Sequence, residues 1–188
     1  RWLPYKQNGD LKFVNGFGGA LSGIINTGKK HPNPIQFQLV YGYGIATYVV
    51  SFDGANYDAT TDGYGNMKAV PVIGGWVSYE LWLSNIIHVN FVTGLTDFIS
   101  PQVSEFEVPE GDFKVVDGHL DLDFFYGTFN FMVDPFENFT VGLEFNYGTR
   151  DNRYHNVEYP VFSASSTGNT HTQSRSATRI SFGLFYDF

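Results

Sequence analysis

The sequence predicts an all-β fold, in which antiparallel strands cross the bacterial outer membrane and close into a barrel. Apolar and polar side chains alternate with a period of two in stretches about ten residues long or longer, which suits tilted transmembrane strands. Strands of soluble sheets are shorter, at about five or six residues. The connections alternate between short and long, which is the asymmetry between periplasmic turns and extracellular loops.

The composition excludes several other classes of protein. No apolar run reaches the length of about 18 residues that a membrane-spanning helix needs. The chain has no cysteine, so neither a disulfide framework nor a thiolate metal site is possible. Its net charge of -8 argues against nucleic acid as a partner, because phosphate binding needs a basic surface. Aromatic residues make up 18% of the chain, which suits strands with interfacial girdles.

Three strands are predicted in the first half of the chain, over residues 11–26, from 35 to about 52, and over 67–83. The first is rich in glycine. In each strand the odd-numbered positions are predicted to form the apolar face. These positions include Leu21, Ile25, Ile35, Phe37, Leu39, Tyr41, Tyr43, Ile73, Val77, Tyr79 and Leu81. The opposite face of the third strand contains Trp76, Ser78, Glu80 and Trp82.

Four more strands are predicted over residues 87–96, 119–133, 139–150 and 174–188. The fifth strand sets Leu120, Leu122, Phe124 and Tyr126 against Asp121, Asp123 and Phe125, so that its acids face a polar lumen. Its second half alternates poorly and does not define a face. The seventh strand places Ile180, Phe182, Leu184, Tyr186 and Phe188 on one face, and a terminal aromatic residue is typical of the closing strand of an outer-membrane barrel.

The long connections, approximately 53–66, 101–118 and 151–173, are predicted to be extracellular loops. Bacterial barrels have an even number of strands with both termini in the periplasm, and about seven strands are visible here. We therefore expect residues 1–188 to form a single β-barrel domain that is the C-terminal part of a longer porin with roughly 16 strands. The alternative is an eighth strand within residues 40–52.

Four segments resemble the DcaP-like porins: QLVYGYGIATY (38–48), NMKAVPVIGGWVSYE (66–80), VGLEFNYGTRDN (141–152) and RISFGLFYDF (179–188). The similarity extends over most of the chain from about residue 11, and would correspond to the C-terminal half of such a porin. The resemblance implies a trimeric porin of the outer membrane of a Gram-negative bacterium. It also implies passive diffusion of small hydrophilic solutes, with organic anions such as dicarboxylates among them.

A porin catalyses no reaction, so its chemistry is the electric field along the lumen. The residues predicted to line the pore are Lys68, Glu80, Asp121, Asp123, Glu144, Arg150, Arg175 and Arg179. Arg150 and the two arginines of the seventh strand are expected to be neighbours and to form a basic ladder. Equally, these charges can pair with one another and only solvate the wall. Aromatic residues predicted to anchor the barrel at the membrane interfaces are Tyr41, Tyr43, Phe139, Tyr147, Tyr186 and Phe188.

Two alternatives stay open. One is a small structural or adhesive barrel that is plugged by inward side chains, such as Trp76, Trp82 and Phe125, and whose loops bind partners. The other is a soluble lectin-like sandwich. We expect no enzymatic activity, no cofactor and no metal. The expected partners are outer-membrane lipid, two further copies in a homotrimer, and the barrel assembly machinery, which would bind the strand ending at Phe188.

Overall fold

The structure is a computed structural model and describes residues 1–7, 9–29, 32–49, 58–62, 65–108, 113–159 and 169–186. These residues form antiparallel β-structure almost throughout. The strands are β1 (Trp2–Gln7), β2 (Asp10–Asn15), β3 (Phe17–Asn26), β4 (Pro34–Tyr43), β5 (Ala59–Thr61), β6 (Met67–Ala69), β7 (Pro71–Trp82), β8 (Ile87–Ile99), β9 (Val103–Glu107), β10 (Lys114–Gly118), β11 (Leu120–Phe136), β12 (Phe139–Glu158) and β13 (Asn169–Tyr186). No helix in this part of the chain is long and apolar enough to cross a membrane.

Seven long strands pair in the order β3, β4, β7, β8, β11, β12 and β13, and they correspond to the seven predicted strands. Successive strands are antiparallel neighbours, so this part of the sheet is a meander. Within the described residues β3 pairs only with β4, and β13 pairs only with β12. The described sheet is therefore open at these two edges.

The connections of the meander alternate as predicted. One end, which we call the turn end, has the short connections 27–33, 83–86 and 137–138. Two asparagines in these turns, Asn33 and Asn138, have positive φ, which asparagine tolerates better than most residues. The other end, the loop end, has the long connections 44–70, 100–119 and 159–168.

The predicted loop bounds were wrong at the loop end, where strands continue into polar sequence beyond their alternating apolar residues. Residues 151–158 and 169–173 belong to β12 and β13, whose ladder runs on to Val157 and Asn169 with a register shift after His155. Residues 101–118 contain the hairpin β9–β10, which pairs with the far end of β12. In residues 53–66, the segment 53–57 lies outside the described part and β5 occupies 59–61. These strands lack apolar alternation, so period-two reading cannot find them.

The first three predicted strands are also shorter or interrupted. Strand β2 pairs with β1 in a separate hairpin, and the chain changes partner at Gly16 before β3 begins. Strand β4 ends at Tyr43, after which residues 46–48 form a turn of 3-10 helix. Residues 67–69 pair with β5 as a small ribbon, and the long strand β7 starts only at Pro71.

Two hydrophobic clusters lie toward the loop end. The first forms where Ile45, Ala46, Val49 and Val70 from connection 44–70 pack on Val40, Val72, Phe98 and Leu122 of the sheet. The second joins Val108, Phe113 and Val115 to Tyr154 and Val157 of β12. Buried apolar side chains thus hold connection 44–70 and the β9–β10 hairpin against the sheet. Burial of apolar surface contributes roughly 25 cal/mol of stabilisation per Å².

Candidate functional site

The long strands have two chemically different faces. On one, which we call the apolar face, large hydrophobic side chains stand in register across neighbouring strands. Phe91, Phe129, Phe145 and Ile180 form one such row. Exposed members of this face are Leu21, Leu39, Ile73, Val77, Phe91, Leu95, Phe129, Phe131, Leu143, Phe145, Ile180, Phe182 and Leu184. A contiguous apolar surface of this extent marks a membrane or protein contact.

Aromatic side chains lie at both ends of the apolar face. At the loop end the rings of Phe17 and Tyr43 stack at 5.2 Å, and the hydroxyl oxygens of Tyr41 and Tyr43 are 3.4 Å apart. At the turn end Phe139 lies opposite Tyr186 in the ladder. All the predicted anchoring residues that the structure describes are on this face, Tyr147 included; Phe188 is outside the described residues. Their role as membrane anchors stays a prediction.

The opposite face, the polar face, carries a ladder of polar side chains. Glu80, Asn90, Asn130, Glu144 and Ser181 are register partners across β7, β8, β11, β12 and β13. The Asn146 amide donates to Glu144 at 2.6 Å, and a guanidinium nitrogen of Arg179 donates to the same carboxylate oxygen at 3.1 Å. The Trp82 indole donates to Glu80 at 2.6 Å. Glu80 and Glu144, the two predicted pore-lining acids on this face, therefore have hydrogen-bond donors.

Arg150 is a neighbour of one of the two arginines of the last strand, as expected, and the role of all three arginines as pore-lining residues stays a prediction. Arg150 and Arg175 are direct register partners, and Arg179 follows on the same face of β13. Adjacent like charges on a sheet repel. Arg150 is held by donating to Asn152 Oδ1 at 2.8 Å and by lying over the ring of Phe124 at 5.8 Å. The polar face thus combines a basic cluster at β12–β13 with acids nearer the turn end.

Three other predicted pore residues lie elsewhere. Lys68 is on the β5–β6 ribbon, where its amine is 3.6 Å from Asp62. Asp121 and Asp123 are on the apolar face, at its loop end, in register with Ile99 and Asp97 of β8. The fifth predicted strand was therefore turned the wrong way, and Phe125 belongs to the apolar face as well.

The wrong orientation predicted for β11 has a physical cause. Strand β11 has bulky apolar residues on both faces, so alternation does not orient it. Leu122 is only 2% exposed, because the cluster under connection 44–70 covers it on the polar face. The acids on the other side face the far part of β12, where Arg153 makes an ion pair with Asp123 and His155 Nε2 lies 2.9 Å from Asp121.

Asp121 is the centre of a cluster that the sequence did not reveal. His119 Nε2 is 3.5 Å from Asp121 Oδ1, and the rings of His119 and His155 stack at 4.3 Å and 12°. The three ligand atoms lie within 4.8 Å of one another. The two histidines are 36 positions apart and meet only because residue 155 belongs to a strand.

Connection 44–70 covers the loop end of the polar face. Asp58 fixes it by accepting from the Thr47 hydroxyl at 2.6 Å and by pairing with Arg1 at 2.8 Å. Trp76 lies beside this segment on β7, with its indole donating to Gln38 at 3.3 Å. Connection 44–70 and the Trp76 side chain therefore cover part of the polar face at its loop end.

Comparison with protein-family models, with curated proteins and with solved structures found no match. The likeness to the DcaP-like porins, the porin activity and the trimer stay predictions.

Proposed function

We propose that this chain forms part of the wall of an outer-membrane porin, through which small hydrophilic solutes diffuse passively. The single observation that carries the proposal is the two-faced sheet. Apolar side chains with aromatic residues at both ends form one face, and hydrogen-bonded charged and amide groups form the other. Such a wall suits lipid on one side and water on the other.

The height of the apolar face supports a bilayer as its neighbour. From Phe139 to Tyr147 the strand rises about 27 Å, at 3.4 Å per residue. At a tilt of about 40° this is about 21 Å along the membrane normal, close to the apolar band of roughly 25 Å in outer-membrane barrels. Polar side chains begin directly beyond it, with Asp151 and Arg153 on β12.

Among the residues that the structure describes, β3 and β13 each have one edge without a partner strand, which supports closure through further strands. An exposed strand edge leaves unpaired backbone groups, which cannot remain so in a hydrocarbon environment. We infer a longer barrel of roughly 16 strands, as in porins that enclose an aqueous channel. A DcaP-like trimer that admits organic anions is the specific form of this proposal, with Arg150, Arg175 and Arg179 attracting the anion.

The test is single-channel recording of the native polypeptide in planar bilayers, with a salt gradient across the membrane. Stepwise openings are expected. Folded, inserted protein that never opens would contradict the porin proposal. That result would favour the second candidate, a plugged barrel, which is supported by Trp76, Trp82 and Tyr126 on the polar face and by the packing of connection 44–70.

A further inference from the structure

We propose that His119, Asp121 and His155 form a binding site for a divalent transition-metal ion of the zinc class. The site lies at the loop end of the apolar face. It joins the connection before β11 to the part of β12 that extends beyond the apolar band. Asp121 and His155 belong to the apolar face, on the side of the sheet opposite the proposed pore lining.

The donor set has the chemistry that such an ion prefers. Two imidazole nitrogens and one carboxylate are common zinc ligands, and a water molecule can take the fourth tetrahedral position. Calcium and magnesium prefer oxygen ligands throughout. The cluster therefore selects zinc and its borderline neighbours, such as cobalt and nickel, over the hard cations.

The distances need little change. Ligand atoms around tetrahedral zinc lie roughly 3.3 Å apart, given bonds of about 2.0–2.1 Å. His155 Nε2 is 2.9 Å from Asp121 Oδ2, and His119 Nε2 is 3.5 Å from the other oxygen, Oδ1. All three ligand atoms lie within 4.8 Å, so the widest pair must close by no more than roughly 1.5 Å. Side-chain rotation can supply this change.

A buried acceptor at the centre points to a cation. Asp121 Oδ1 is inaccessible to solvent and accepts no hydrogen bond from the described residues. Such an oxygen is costly unless it is satisfied. Both imidazoles turn their Nε2 atoms toward this one carboxylate. A metal ion among the three groups satisfies the oxygen and uses both nitrogen lone pairs.

The surroundings also favour a cation. The second nitrogen of His155 lies 3.4 Å from the Thr170 hydroxyl, a contact of the kind that orients metal-bound histidines. Asp97, Asp123 and Asp151 stand in one register row beside the site. Arg153 is the opposing charge, and it is engaged by Asp123. The side chain of His119 is 37% exposed, so an ion can enter from solution.

The test is a titration of the detergent-solubilised native polypeptide with Zn²⁺ against a chromophoric chelator. One equivalent is expected to bind. We expect at least a tenfold loss of affinity in each of H119N, D121N and H155N, because even orienting partners of metal ligands are worth about 10- to 100-fold. Co²⁺ should give the visible spectrum of a tetrahedral complex in the unmutated protein and lose it in H155N.

H88N is the matched control. His88 also faces a carboxylate, with Nδ1 3.3 Å from Asp134 Oδ2, but it lies at the turn end and has no second imidazole in the described cluster. H88N should bind Zn²⁺ as tightly as the unmutated protein. Circular dichroism and heat-modified gel mobility check that each variant is folded. The proposal is wrong if Zn²⁺ does not bind, if folded H119N, D121N and H155N keep full affinity, or if equimolar Ca²⁺ displaces the ion.

Discussion

Ile180→Arg is the sharpest test of the proposal that lipid covers the apolar face. Ile180 is 70% exposed and has Phe145 as its register partner. It lies six residues from Tyr186 and two from Thr178, the register partners of the two ends of the Phe139–Tyr147 band. At 3.4 Å per residue and a tilt of about 40°, its side chain is about 5 Å from the centre of this band, well inside the hydrocarbon layer.

In a bilayer the substitution should lower the free energy of unfolding by about 2–3 kcal/mol, because arginine costs about 2–4 kcal/mol at the midplane of a barrel and less toward the interfaces. In water the same change would stay within about 0.5 kcal/mol, as is usual for surface substitutions. Two control variants distinguish the effect of depth in the membrane from the effect of the face on which the residue lies. Ser176→Arg, on the same face nearer the loop end, should cost about 0–1 kcal/mol. Ser181→Arg, on the polar face opposite Glu144, should cost less than Ile180→Arg.

The assay is reversible denaturant unfolding of protein folded into lipid vesicles, followed by tryptophan fluorescence. The midpoint and slope give the free energy of unfolding for each variant. Equal effects of Ile180→Arg and Ser181→Arg would refute the assignment of the two faces. A cost for Ile180→Arg below about 0.5 kcal/mol would place the apolar face in water.

Two further predictions concern the polar face and its cover. Replacing both Arg150 and Arg175 with glutamine removes neighbouring positive charges, so the reversal potential in a salt gradient should move toward cation preference; an unchanged potential would contradict a pore-lining role. Leu122→Ala should cost about 2–5 kcal/mol, because the side chain is buried under connection 44–70. Leu95→Ala, at a site 65% exposed on the other face, should cost clearly less in the same unfolding assay, and equal costs would show that Leu122 is not covered.

The seven long strands and their alternating connections were predictable, because each strand has an apolar face and a polar face, which gives its sequence a period of two. Face assignments were correct in β4, β7, β8, β12 and β13, where one face is clearly polar. The neighbouring positions of Arg150 and Arg175 followed from pairing the last two strands as a hairpin. Local alternation is sufficient for such elements, since the environment changes from one side chain to the next.

Alternation predicted the wrong face for β11, where other segments of the chain pack on the sheet. Leu120 and Leu122 look lipid-facing in sequence, yet connection 44–70 and the β9–β10 hairpin pack on that side of β11. The correct face of Asp121 and Asp123 depends on their cross-strand partners, which sequence spacing does not show. Counting from the unambiguous Phe91 across to Phe129 would have oriented β11, because paired residues share a face.

The corrected face of Asp121 and Asp123 also changes what the acidic composition implies for the charge preference of the proposed pore. A net charge of -8 suggests a cation-preferring channel only if the acids line it. Asp97, Asp121 and Asp123 lie on the apolar face, and Glu105 is on the loop-end hairpin, where its hydrogen bond raises the pKa of Lys114. Asp97, Asp121 and Asp123 are separated from the polar face by the sheet, and salt screens exposed charges beyond about 8–10 Å. The polar face itself carries charges of both signs, because Glu80 and Glu144 stand there with Arg150, Arg175 and Arg179, and Arg179 pairs with Glu144. If this face lines a pore as proposed, Arg150 and Arg175 are the charges that favour anions in a chain that is acidic as a whole.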